Sequence, residues 1–145
     1  MGNDQELIFA RNYMPQFREA DPDGLIGLRG YMNYFQDTTT YYMHNLHLGN
    51  DTLPEKYGIV WIYTKYKIHI EKKADFSDEG LYFETWTEPK KSPIILYQDF
   101  VISRNHEICA FGRLETCLLN MRSGKISKLE SIDYPFAKAS HRQLD

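Results

Sequence analysis

The chain has 145 residues, 42% hydrophobic and 26% charged, with a net charge of −3. That is enough for one domain with its own core and too apolar for a disordered chain. The small negative charge argues against a nucleic-acid-binding surface, and no apolar run approaches the ~20 residues that cross a bilayer. The opening MGNDQELIF lacks a basic segment followed by an apolar stretch, so no secretory signal is read there and the cytoplasm is the expected compartment.

The first ordered segment, Leu7 to Phe17, reads as a strand interrupted by Pro15. Asp21-Pro22-Asp23-Gly24 is a turn: proline presets φ, aspartate bonds local backbone, and glycine permits positive φ. From Leu28 to Leu48 apolar groups recur every three or four residues (Leu28, Met32, Phe35, Thr39 with its methyl, Met43, Leu46), which predicts a helix ending near Gly49 and Asn50. Two features of this helix are unusual. Thr38, Thr39 and Thr40 form a β-branched run that is poor for an isolated helix. Between Gly30 and Gly49 only Asp37 is formally charged, whereas a surface helix carries charges on its outer face. The expectation is a helix buried on most sides.

The rest reads as strands, consistent with a 14% aromatic content. In Ile59–Ile70, Ile62, Thr64, Tyr66, Ile68 and Ile70 are expected on one face, with Lys65, Lys67 and His69 on the other. Leu81–Thr87, Ile94–Ser103 and Ile108–Met121 follow, separated by polar turns at Glu88–Pro93 and Arg104–His106, with a further turn at Ser123–Lys125. The stretch from Ser131 reads as loosely structured, with His141–Asp145 an exposed tail. Cys109 and Cys117 fall on one strand ~26 Å apart, too far for a disulfide, whose Cα atoms lie within ~7 Å; buried free thiols are expected. Strand, helix, then a meander of strands predicts an α+β fold in which a curved antiparallel sheet of about five strands wraps a long central helix. The whole chain, residues 1–145, is read as one such domain.

Several segments resemble, in order and spacing, the acyl-acyl-carrier-protein (acyl-ACP) thioesterases, specifically their N-terminal hot-dog half. They are MNYFQDT (Met32–Thr38), IVWIYTKYKI (Ile59–Ile68), ETW (Glu84–Trp86), QDF (Gln98–Phe100) and LNMRSGKISKL (Leu119–Leu129). The resemblance runs from about Asp21 to Phe136. The spacing from Asp21 and Gly24 to Tyr31 and Gln36 is also similar to single-domain hydroxybenzoyl-CoA-type hot-dog thioesterases, where Asp21 falls on the catalytic aspartate. Three positions depart from these patterns: Leu25 stands where a histidine is usual, Gln36 where a helix acid is frequent, and Tyr42 where the acyl-ACP enzymes often carry a helix histidine. In two-domain relatives the catalytic groups are attributed to the second half.

The resemblance implies a thiolester hydrolase acting on fatty-acyl-ACP, or acyl-CoA, with no cofactor or metal. The alternative is a non-catalytic hot-dog half that shapes the acyl tunnel or a dimer. Thioester hydrolysis needs a carboxylate to assist water, donors for the oxyanion, and a tunnel for the acyl chain. The catalytic candidates are Asp21, Asp37, Asn33 and Gln36, near a helix whose N-terminal N–H groups suit an oxyanion. Asp21 is equally suited to starting a turn, and Asp37 shares a polar stripe with Asn33 and His44. Tyr31, Tyr34, Trp61 and Arg113 are the substrate-binding candidates, Arg113 toward phosphopantetheine or an acidic carrier. His44 and His47 lack metal-site partners and read as surface histidines. The family also implies at least a homodimer, since pairing covers sheet edges.

Overall fold

Strands in this chain form where alternating apolar residues have a helix to cover, and one face of the sheet is built around that helix. The computed structural model describes residues 8–77 and 79–134. Strand β1 (Ile8–Tyr13) leads through a single 3₁₀ turn (Phe17–Glu19) to helix α1 (Leu28–Asn45) and a short helix α2 (Leu53–Tyr57). Strands β2 (Ile59–Ile70), β3 (Leu81–Thr87), β4 (Leu96–Arg104), β5 (Glu107–Asn120) and β6 (Ile126–Ser127) follow. The sheet order is β1-β3-β4-β5-β2, antiparallel throughout, with β6 paired to β5. The two-residue β6, formed where the chain returns from the turn at Ser123–Lys125, makes six strands where about five are expected. Helix α2 and β6 are not signalled in the sequence. The expected C-terminal tail lies outside the described residues.

Helix α1 rests on the sheet through two apolar clusters. Tyr31, Tyr34 and Phe35 meet Leu81, Phe83, Phe100, Ile102, Ala110 and Leu114. Toward the helix C-terminus, Tyr42 and Met43 meet Leu48, Leu53, Ile59, Trp61, Leu96 and Leu118. Between the clusters four elements contribute polar side chains: Thr38 and Thr39 on α1, Thr85 and Thr87 on β3, Gln98 on β4 and Thr116 on β5, all buried. Gln98 Nε2 donates to Thr85 Oγ1 at 3.2 Å, and the Tyr13 and Thr38 hydroxyls meet at 2.8 Å. Two of the three threonines of the run, Thr38 and Thr39, are therefore the helix's share of a buried polar belt. Thr38 also returns its hydroxyl to the Tyr34 carbonyl at 2.8 Å, which satisfies it within the helix.

Three expectations are corrected. First, α1 is not buried on most sides. Eight of its 18 residues are buried, while Asn33, Gln36, Asp37, Thr40, Tyr41 and His44 are exposed. The sheet covers one side only, and the other is solvated mainly by amides, hydroxyls and one carboxylate, Asp37. Second, the helix ends before Gly49. His47 takes a φ of 59°, the His47 N–H bonds to the His44 carbonyl at 3.0 Å, and the Leu48 N–H bonds to the Met43 carbonyl at 3.0 Å. This is a Schellman closure with histidine in the left-handed position usually taken by glycine. It turns Leu48 back into the core. Third, β2 does not alternate in one phase. Its pairing with β5 shifts between Tyr63 and Lys65. The bulge lets Trp61 on one side and Tyr66, Ile68 and Ile70 on the other all pack toward the helix. Cys109 and Cys117 are buried free thiols.

Candidate functional site

The Asp21–Gly24 turn sits at the entrance to α1. The Gly24 N–H bonds to the Asp21 carbonyl at 2.9 Å, Gly24 adopts a φ of +81°, and Asp23 Oδ1 accepts the Leu25 N–H at 3.0 Å. Lys73 Nζ bridges Asp21 at 2.8 Å and Asp23 at 2.5 Å. Hydrogen bonds to these two carboxylates raise the Lys73 pKa, and the Lys73 ammonium lowers that of Asp23. Gly27 caps the helix, and a Cβ there would run into Asp21 Oδ2. Asp21 is thus packed against the helix entry and neutralised by a lysine.

Asp37 lies elsewhere. It lines a groove of about 480 Å³ along the C-terminal half of α1, with Thr39, Thr40, Tyr41, Met43 and His44 on the helix side. Gly49, Asn50 and Asp51 form its end, and Trp61, Tyr63 and Thr116 its sheet wall. The loop after the helix is held in place from three directions. Asn50 Oδ1 accepts the Trp61 N–H at 2.8 Å, Asn50 Nδ2 donates to the Trp61 carbonyl at 3.3 Å, and the Trp61 indole N–H donates to the Leu48 carbonyl at 2.7 Å. At the rim His44 Nδ1 meets Asp51 Oδ2 at 2.7 Å. The exposed lining of the groove is mostly apolar and includes the ionisable groups Asp37, His44 and Asp51, a form that accepts an aliphatic chain with a reactive head.

Of the remaining candidates, Tyr31 is fully buried; its hydroxyl donates to the Lys72 carbonyl at 2.7 Å and accepts the Ala74 N–H at 2.9 Å. Burial raises its pKa. Tyr34 accepts the Gln16 N–H at 3.1 Å, and burial pushes its hydroxyl up to about 12. Both tyrosines anchor loops to α1. Asn33 and Gln36 are exposed on the outer face of the helix, and Gln36 Nε2 donates to the Tyr66 hydroxyl at 2.9 Å. Asp37 is exposed rather than buried. The structure brings Asp37 and Trp61 to one groove and leaves Asp21, Asn33, Gln36, Tyr31 and Tyr34 out of its lining.

Arg113 lies on the sheet face away from α1. Its Nε donates to Asp99 Oδ1 at 2.8 Å and its second arm meets Glu88 Oε2 at 2.5 Å, while Lys91 also pairs with Glu88. Asp99 is completely buried. Burial, reinforced by the Glu88 carboxylate and opposed by Arg113, raises its pKa to about 6. Apart from Arg113, this buried ionic group escapes the sequence reading, although an aspartate inside a strand rich in apolar and aromatic residues is itself a signal. The His44–Asp51 pair escapes it too, because the six residues between them double back only through the His47 turn. Among the described residues no cluster of three or more histidine, cysteine or acidic side chains is arranged to hold a metal, and no helix is long and apolar enough to cross a membrane.

The family model of the acyl-ACP thioesterase N-terminal domain matches residues 6–131. No curated protein matches the chain. Among solved structures, an acyl-ACP thioesterase from Bacteroides thetaiotaomicron superposes with a TM-score of 0.73 at 15% identity, over 83% of this chain and 49% of that one. A 12:0-ACP thioesterase from Umbellularia californica gives 0.72 at 18% identity, over 84% and 49%. A DHNA-CoA thioesterase from Staphylococcus aureus gives 0.74 at 21% identity, over 85% and 81%. The chain therefore spans about half the length of the two acyl-ACP enzymes and most of the CoA enzyme. A curved antiparallel sheet around one long helix, and a family match over most of its residues, place this chain in the acyl-ACP thioesterase N-terminal domain family, with the hot-dog fold.

Proposed function

We propose that this chain hydrolyses fatty-acyl thioesters, carried on ACP or on CoA, to the free acid, with the acyl chain lying in the groove beside α1. The observation that carries the reading is the groove itself: an apolar trough of about 480 Å³ with ionisable groups at its rim, in a chain of this family. Water attack on the thioester carbonyl would take place at that rim, in place of the helix entry where Lys73 occupies Asp21. Arg122 and Lys125 near the β5–β6 turn, and Lys90 and Lys91, are the cations proposed to meet an acidic carrier or a phosphate. No cofactor enters this chemistry. The cytoplasm is the proposed compartment, and a homodimer the proposed assembly, because β2 has no second partner strand among the described residues.

Two observations favour a second reading. The Asp21–Lys73 pair leaves the helix entry without a free carboxylate, and two acyl-ACP relatives are about twice as long. On that reading this chain is a non-catalytic half that supplies the acyl groove. The test is a panel of acyl-ACP and acyl-CoA thioesters of graded length, with released thiol measured for the 145-residue chain. Turnover supports hydrolysis. Folded protein that binds the thioesters without turnover supports the second reading.

A further inference from the structure

The candidates at the groove rim differ in one respect. Among the described residues Asp37 has no orienting partner there, whereas His44 does. His44 Nδ1 lies 2.7 Å from Asp51 Oδ2. The Asp51 carboxyl is held below the usual carboxylate range chiefly by its hydrogen bond to His44, so it is ionised and can only accept. Nδ1 must therefore carry the proton of this bond, which leaves Nε2 of the neutral imidazole with a free lone pair. The pairing is built into the backbone. The Schellman closure at His47 reverses the chain after His44, and Asn50 fixes the loop to Trp61. Gly49 makes room for the carboxylate: a Cβ there would come within 2.6 Å of Asp51 Oδ1. His44 and Asp51 both line the groove.

We propose that His44 is the general base of this groove and that Asp51 positions it. The inference rests on the thioesterase reading above. His44 Nε2 takes a proton from water as the water oxygen bonds to the thioester carbonyl carbon. The tetrahedral intermediate collapses with cleavage of the C–S bond, and the departing sulfur recovers the proton from the imidazolium. One water is consumed, and one carboxylic acid and one thiol are formed. Asp51 stabilises the imidazolium and fixes its tautomer, as an aspartate does for a catalytic histidine generally. Asp37, seven residues before His44 on the same helix, is ~10 Å further along the axis; it lies along the path of the substrate and not at the same carbon. The titratable groups facing the groove from all its walls are Asp37, Tyr41, His44, Asp51 and Tyr63.

The test is steady-state hydrolysis of dodecanoyl-CoA and dodecanoyl-ACP by the full chain, by His44→Gln and by Asp51→Asn, across pH 5 to 9, with folding checked by circular dichroism. We expect His44→Gln to lower kcat by about 10²- to 10⁴-fold, the range for loss of a general base, with KM little changed. The fall in rate at acidic pH should vanish in His44→Gln and move in Asp51→Asn. Wild-type turnover retained in His44→Gln would overturn the assignment while leaving the thioesterase reading intact. Absence of turnover in the wild-type chain would overturn both.

Discussion

The rings of Phe35 on α1 and Phe100 on β4 stack with centroids 4.0 Å apart and planes at 25°. Both are essentially inaccessible to solvent, so this pair is the main pin between helix and sheet in the first apolar cluster. Phe35→Ala should lower unfolding free energy by about 3–5 kcal/mol, the usual cost of deleting a buried phenylalanine. Urea denaturation of the two proteins measures it, and a change below 1 kcal/mol would mean the helix is held elsewhere.

The floor beneath that pair is Gly112, opposite Phe100 in the β4–β5 register. A Cβ at Gly112 would strike the Lys67 carbonyl and come within 2.8 Å of the Phe100 ring. Gly112→Ala should therefore destabilise by about 1–3 kcal/mol through overpacking, despite alanine's better strand propensity. Thermal unfolding distinguishes the two, since propensity alone predicts a higher Tm.

Stability should depend on pH through Asp99. Its folded pKa is raised to about 6, so the native state holds this proton more tightly than the unfolded chain. The resulting stabilisation is fully present below the unfolded value of about 4, declines as pH rises through 6, and is gone above it. Asp99→Asn carries no such proton. The difference in denaturation midpoint between wild type and Asp99→Asn should change between pH 4 and pH 6.5 and stay constant from pH 7 to pH 8. A difference that is flat from pH 4 upward would show that Asp99 keeps an ordinary carboxyl in the fold.

The buried polar belt is incompletely paired. Thr39 Oγ1, Thr116 Oγ1 and Gln98 Oε1 have no hydrogen-bond partner among the described residues. Replacing a buried, unpaired hydroxyl by a methyl group of the same shape relieves a desolvation cost of ~1 kcal/mol or more. Thr116→Val should accordingly raise stability by about 1 kcal/mol, and a loss of that size in chemical denaturation would reveal a hydrogen bond in solution.

Asn50 ties the groove loop to Trp61 by two hydrogen bonds. Asn50→Ala should cost about 1–2 kcal/mol. It should also lower kcat for dodecanoyl-CoA more than it raises KM, because the loop carries Asp51. An unchanged kcat alongside the stability loss would separate the loop from the chemistry.

The resemblance to acyl-ACP thioesterases and the α+β wrap were legible in the sequence because they rest on local pattern. The spacing of Phe35, Met43 and their neighbours specifies a helix, alternation specifies strands, and the Asp21–Gly24 turn specifies its own geometry. Each depends on residues close in the chain. The charge-poor stretch from Gly30 to Gly49 was equally plain, but its meaning was not: lack of charge signals freedom from ionic partners, and it does not say which side of the helix a sheet will cover.

What the tertiary structure decided are the pairings between distant residues. The bulge at Thr64 inverted the phase of β2 because Trp61 and Tyr66 both had an apolar cluster to reach. Lys73 reached Asp21 from fifty-odd residues away in the chain and neutralised it. Asp99 and Arg113 met only because β4 and β5 align them, with Glu88 brought in just past the end of β3. His44 gained Asp51 through a turn whose left-handed residue is a histidine, a conformation that costs a β-carbon strain and is held there by the burial of Leu48 behind it. Sequence alone determined where α1 and the long strands form, since helix and strand periodicity are properties of neighbours. Which side chains share a site was settled by packing, because the free energy of burying an apolar face overrides local preference and carries the polar residues with it.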